Sequence, residues 1–159
     1  MDNNNSYIDL LTDSLKKKII LLKEITELNI RQKEAVASEK FDIEEFDAVS
    51  EDKGRLLDEI NKLDDGFETL YNRVSEELKA NKIQYSDKIK MMQGLIQEIM
   101  ELTTSIEAEE KRIKSSVEGQ FIKIKQSIKE TRKNSRAVSN YYKNMTKIDS
   151  APQFMDSKK

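Results

Sequence analysis

Phe46-Asp-Ala-Val-Ser-Glu-Asp-Lys-Gly-Arg-Leu-Leu-Asp-Glu-Ile-Asn-Lys-Leu-Asp-Asp-Gly-Phe-Glu-Thr-Leu-Tyr-Asn-Arg-Val74 is the stretch that decides the fold. At steps of three and four it reads Phe46, Val49, Lys53, Leu56, Ile60, Leu63, Phe67, Leu70, Val74, and eight of these nine positions are apolar. The alternation never slips. That is the a/d pattern of a helix burying one narrow stripe against other helices. Gly54 and Gly66 fall inside the stretch but off the stripe. Asp64-Asp65-Gly66 reads locally as a turn, yet the register passes through it from Ile60 and Leu63 to Phe67 and Leu70, so one helix is expected throughout. A break would normally reset the phase.

Outward from this stripe the chain keeps the same chemistry. It has 159 residues, 36% of them charged, 36% hydrophobic and 6% aromatic, with four Gly and one Pro. That mixture suits long helices or a coiled coil, and it is too lean in apolar residues for a thick core. The expected fold class is all-α: an antiparallel helical hairpin or three-helix bundle with coiled-coil packing and a long third helix. With no Cys, disulfides, zinc thiolates and thiol nucleophiles are excluded; with no His, the commonest general base and metal ligand is missing. No Gly-rich phosphate loop or nucleophile elbow is present. Adjacent carboxylates such as Glu44-Glu45 and Glu109-Glu110 point about 100° apart on a helix and do not converge. Only Glu110 falls on the stripe. These features imply no enzyme, cofactor or metal centre. No 18-residue apolar run and no signal-like start occur, so a cytoplasmic location is expected.

Before the central stretch, Ile8, Leu11, Leu15, Leu22 and Ile25 follow heptad steps, with Lys18 in the missing d place. Ile19, Leu21 and Leu28 widen the stripe, as in a helix touching two neighbours. A first helix is expected over about residues 6–37. Asp42 is a favourable N-cap with Glu45 three residues on, and Phe41 and Phe46 occupy the hydrophobic-staple positions. Helix two is expected over 42–80. Asn81 is placed to end it in a left-handed conformation, with Ser86 or Asp87 capping the next. In helix three, over 85–143, Tyr85, Ile89, Met92, Ile96 and Ile99 hold the register, and Ile106 and Ile113 follow. The bundle is thus assigned to residues 1–143 and a flexible tail to 144–159. Lys53, at an a position, reads first as a side chain snorkelling at the bundle edge; pairing with a carboxylate of helix one is the alternative. Met91, Met92 and Met100 read as packing residues.

From Lys111 to Lys159 there are 13 Lys and Arg against 4 Asp and Glu, a balance of +9; from Met1 to Glu110 the count is 15 against 26, or −11. On this basic half, Val117, Phe121, Ile124, Ile128 and Val138 form an apolar line that two shorter helices would not fully cover. Together with Tyr141 and Tyr142 they are the candidate partner-binding residues, suited to an amphipathic partner helix. Three readings stay open: a partner-binding protein, a structural coiled coil that self-associates through the same surface as a homodimer, and a basic-tailed binder of nucleic acid or a membrane surface. No recognisable nucleic-acid module accompanies the charge.

Lys40-Phe-Asp-Ile-Glu-Glu-Phe46, followed by Glu51-Asp-Lys-Gly-Arg-Leu-Leu-Asp-Glu-Ile-Asn-Lys-Leu63, resembles the FlgN family of flagellar export chaperones, at Glu51, Lys53, Leu56, Leu57, Ile60 and Leu63. The paired Tyr and closing Phe-Met-Asp-Ser-Lys-Lys159 are similar to C-termini of flagellar chaperones of clostridia-like bacteria. Where that family spaces Asn residues along its third helix, this chain has Glu107-Ala-Glu-Glu-Lys-Arg-Ile113, which keeps FliT-type chaperones as a close second. The resemblance implies a cytoplasmic helical chaperone for flagellar type III secretion. It would bind C-terminal helices of hook-associated proteins and deliver them to the export apparatus, with Tyr141 or Tyr142 as the counterpart of the family's C-terminal Tyr.

Overall fold

The computed structural model describes the backbone of residues 3–142 and the side chains of residues 5–134. The described residues form three helices: α1, Asn3–Ala37; α2, Ile43–Ala80; and α3, Ser86–Tyr142. Two compact units divide at Ile113 and Lys114, inside the length of α3. The first comprises α1, α2 and residues 86–113. The proposed tail, 144–159, lies outside the described residues.

Ion pairs reveal the helix directions in the first unit. Lys18 pairs with Asp64 at 2.8 Å and Arg31 with Glu45 at 2.5 Å, so α1 and α2 run antiparallel. Asp9 pairs with Lys88 at 2.9 Å, Glu98 with Lys23 at 3.9 Å and Glu109 with Lys33 at 2.9 Å, so α1 and α3 run parallel. The unit is therefore an up-down-up bundle. Exposed pairs of this kind contribute little, at most about 1 kcal/mol each. Stability comes instead from the apolar stripes.

In α2 the heptad residues all face inward: Val49, Lys53, Ile60 and Val74 are buried, while Phe46, Leu56, Leu63, Phe67 and Leu70 are half-buried. In α1, Ile8, Leu11, Leu15, Leu22 and Ile25 are buried, and so are Ile19 and Leu21. That width lets α1 serve two neighbours, as its pairs to α2 and α3 require. Fully burying each such side chain is worth about 1.5–3 kcal/mol. Lys18, at its d place, lies at the edge and reaches Asp64.

The turns follow local chemistry. Asp42 accepts the Glu45 N–H at 3.1 Å, and the Phe41 and Phe46 rings meet edge-on at 5.5 Å. The second arm of a capping box is absent, because the Asp42 N–H already donates to Ala35 O at 3.0 Å and Glu45 turns to Arg31. The helix runs unbroken through Asp64-Asp65-Gly66 and ends at Ala80. Asn81 does not adopt the expected left-handed conformation; its φ is −125° and its ψ 44°. Its backbone N–H donates to Glu77 O at 3.0 Å and its side-chain amide donates to the same oxygen at 3.2 Å, while Tyr85 N–H donates to Asn81 O at 3.2 Å, so the chain leaves α2 through a further turn without a left-handed residue. Ser86 and Asp87 stand inside the first turn of α3 instead of capping it, where Asp87 complements the positive end of the helix dipole.

One layer of the core is polar. Lys53, only 9% exposed, donates to Gln32 Oε1 at 2.8 Å and pairs with Glu110 at 2.5 Å. Gln32, 1% exposed, donates to Ser50 Oγ at 2.7 Å and Phe46 O at 3.2 Å. Neither sequence reading of Lys53 is correct. It does not snorkel at an edge, and its carboxylate partner comes from α3 rather than α1, because the parallel α1–α3 register sets Glu110 beside Gln32. One turn away, Asn29 is 2% exposed, and both of its amide atoms lack a hydrogen bond.

Candidate functional site

Residues 114–134 carry four of the sequence-predicted contact residues. Val117, Phe121, Ile124 and Ile128 are each half-buried, at steps that keep them on one side of α3. Ile122, beside that line, is 58% exposed. Lys114, Lys123, Lys125, Lys129 and Lys133 are exposed around it. The result is an amphipathic, basic helix surface. The side chains of Val138, Tyr141 and Tyr142 lie outside the described residues.

A second apolar surface was not singled out by sequence. In the first unit a groove of about 590 Å³ runs between the later half of α2 and the start of α3. Phe67, Leu78, Ile89 and Met92 line it, with Tyr71 and Ile96 at 39% and 41% exposure. The Phe67 and Tyr71 rings stack at 6.2 Å. The signal was present as Tyr71, which is off the heptad stripe by one position and adds an aromatic at i+4 from Phe67. Ile96 holds the heptad register, which places it in the seam, but it is exposed. Of the methionines read as packing residues, only Met92 is buried; Met91 and Met100 are 53% and 59% exposed. Met91 and Met100 each stand one step off the register positions Met92 and Ile99, which are buried, and so face water; Ile96 is on the register and lies at the edge of the groove.

The site electrostatics are simple. Glu109 is held below the ordinary carboxylate value near 4.5, first by its hydrogen bond from Lys33 and also by Arg112. Glu110, the one carboxylate on the stripe, is engaged by Lys53. Among the described residues, no group of three or more Asp or Glu is placed to hold a metal ion, and no helix is long and apolar enough to cross a membrane. Compared with protein-family models, curated proteins and solved structures, the chain matches none.

Proposed function

We propose that this protein is a non-enzymatic, cytoplasmic chaperone of flagellar type III export. It covers the C-terminal helices of hook-associated proteins and delivers them to the export gate. The observation that carries the reading is the half-exposed line Val117, Phe121, Ile124 and Ile128 on a helix of 57 residues, against 35 in α1 and 38 in α2. A partner helix with its own apolar stripe fits such a surface by the same i, i+3, i+4 spacing. The FlgN-like stretch Glu51–Leu63 lies on α2, with Lys53 and Ile60 in the core; its part is to hold the scaffold.

In this mechanism, binding needs no cofactor and breaks no bond. Burial of the partner's apolar face supplies affinity, and the surrounding lysines favour a partner with acidic flanks. Tyr141 and Tyr142 would meet the export apparatus. The FliT-type assignment predicts the same chemistry with a different cognate substrate. Self-association is the second reading, since the same apolar line suits a second copy.

Affinity capture from a flagellated host with the tagged full chain tests the assignment. Recovery of hook-associated proteins is expected. Recovery of the bait alone, as a homodimer in light scattering that residues 111–159 are needed to form, would overturn it in favour of the structural coiled coil.

A further inference from the structure

We infer that the α2–α3 groove of the first unit receives an acidic amphipathic helix from a partner protein. This inference does not rest on the flagellar reading, which places its partner beyond Lys114. The groove is lined by α2, the following turn and α3. Its floor is apolar, and Tyr71 and Ile96 stand about two-fifths exposed at its edges. From Phe67 to Leu78 on α2, and from Ser86 to Ile96 on α3, the walls extend about 15–17 Å at 1.5 Å per residue. Both lengths match about three turns of one helix. A helix laid there would complete a four-helix arrangement and cover the stacked Phe67 and Tyr71.

Charge selects the occupant. Residues 1–110 carry 15 Lys and Arg against 26 Asp and Glu, a balance of −11. Yet Lys79, Lys82 and Lys90 line the groove and no Asp or Glu does. None of these lysines forms an ion pair with a described residue. Three ammonium groups without an ion-pair partner among the described residues, beside an apolar floor, attract glutamate or aspartate flanking an apolar stripe, and they repel a basic helix. The amphipathic stretch from Lys114 to Lys133 is itself basic, so a second copy of this chain is a poor occupant through that stretch.

The test uses the full chain carrying Phe121→Asp throughout, so that the basic apolar surface beyond Lys114 does not capture the probe, and two fluorescein-labelled synthetic helices of about 15 residues, roughly four turns. Both carry Leu at heptad a and d positions. One has Glu at e and g, the other Lys. By anisotropy at low salt, the Glu peptide is expected to bind at least about tenfold more tightly, and the gap should narrow as salt rises. Lys79→Glu, Lys82→Glu and Lys90→Glu together should reverse the preference. Ile96→Asp should weaken Glu-peptide binding by about tenfold or more, the loss expected for an apolar anchor, with circular dichroism checking that helicity is retained. If Ile96→Asp unfolds the chain, the charge-reversed variant carries the test alone. Equal affinity for the two peptides, binding of neither, or an unchanged preference after charge reversal would overturn the inference. So would a wild-type dimer in light scattering that Ile96→Asp converts to monomer, since a second copy would then fill the groove.

Discussion

Replacing Lys53 by Met keeps the stem and volume of the side chain and removes the ammonium. Gln32 Oε1, in a residue 1% exposed, then loses its donor. A buried acceptor left unsatisfied costs about 1–3 kcal/mol. Glu110 also loses its partner, but its side chain is 43% exposed, so water rehydrates it and the loss there is at most about 1 kcal/mol. Relief from burying an ammonium works in the opposite direction. The expected net destabilisation is about 1–3 kcal/mol, read as a lower midpoint in urea unfolding followed by far-UV circular dichroism, with an unchanged slope. Lys53→Met combined with Gln32→Leu removes this donor and acceptor together and leaves Ser50 Oγ, on an exposed residue, to water and Phe46 O without its side-chain donor; replacing a buried polar pair by apolar groups is often neutral. The double variant should therefore recover at least half of the single variant's loss, a non-additivity expected of residues in contact. If Lys53→Met is as stable as the wild type, or if the two changes add, the polar layer is not coupled and the reasoning fails.

Four further outcomes are expected. Asn29→Leu should stabilise the chain by about 1–3 kcal/mol in the same urea assay, because it removes two buried, unpaired amide atoms. Asp42→Ala should cost about 1 kcal/mol through loss of the cap on Glu45 N–H, measured as a reduced urea midpoint. Glu109 is lowered by Lys33 and Arg112, so its folded value lies below its unfolded one; its contribution is fully present above the unfolded value and is lost as pH falls through the folded value. Glu109→Gln should accordingly flatten the fall in stability below about pH 4.5, seen by chemical unfolding across that range. Phe121→Asp should remove partner binding while far-UV circular dichroism stays near wild type, because Phe121 is half-buried rather than core.

The helices could be read from the chain because their determinants are local. An unbroken heptad in α2, the Asp42 cap and the Phe41–Phe46 staple each act within one or two turns. The three-helix arrangement followed from the wide apolar stripe of α1. What depended on inter-helix register was not readable. Whether Lys53 met a carboxylate from α1 or α3 required knowing that α1 and α3 run parallel with Gln32 near Glu110. The exposure of Ile96 is of the same kind: it holds the heptad register, yet it sits at the edge of the groove between α2 and α3, which the register alone does not reveal. Asn81 ends its helix at a φ of −125°, with the chain continuing into a turn in which Tyr85 N–H donates to Asn81 O, so the left-handed conformation its residue type suggests is not used. The apolar line at Val117, Phe121, Ile124 and Ile128 was apparent in sequence by spacing alone, but the groove bounded by Tyr71 and Ile96 needed two helices placed side by side.

The line from Val117 to Ile128 is proposed as the surface that receives hook-associated proteins. Isothermal titration of the full chain with C-terminal segments of the hook-associated proteins from its own organism, wild type against Phe121→Asp, tests it most directly. Saturable one-to-one binding by the wild type is expected, with loss of that binding in a variant that keeps its helicity. Absence of binding to every segment, or binding by Phe121→Asp equal to wild type, would contradict it.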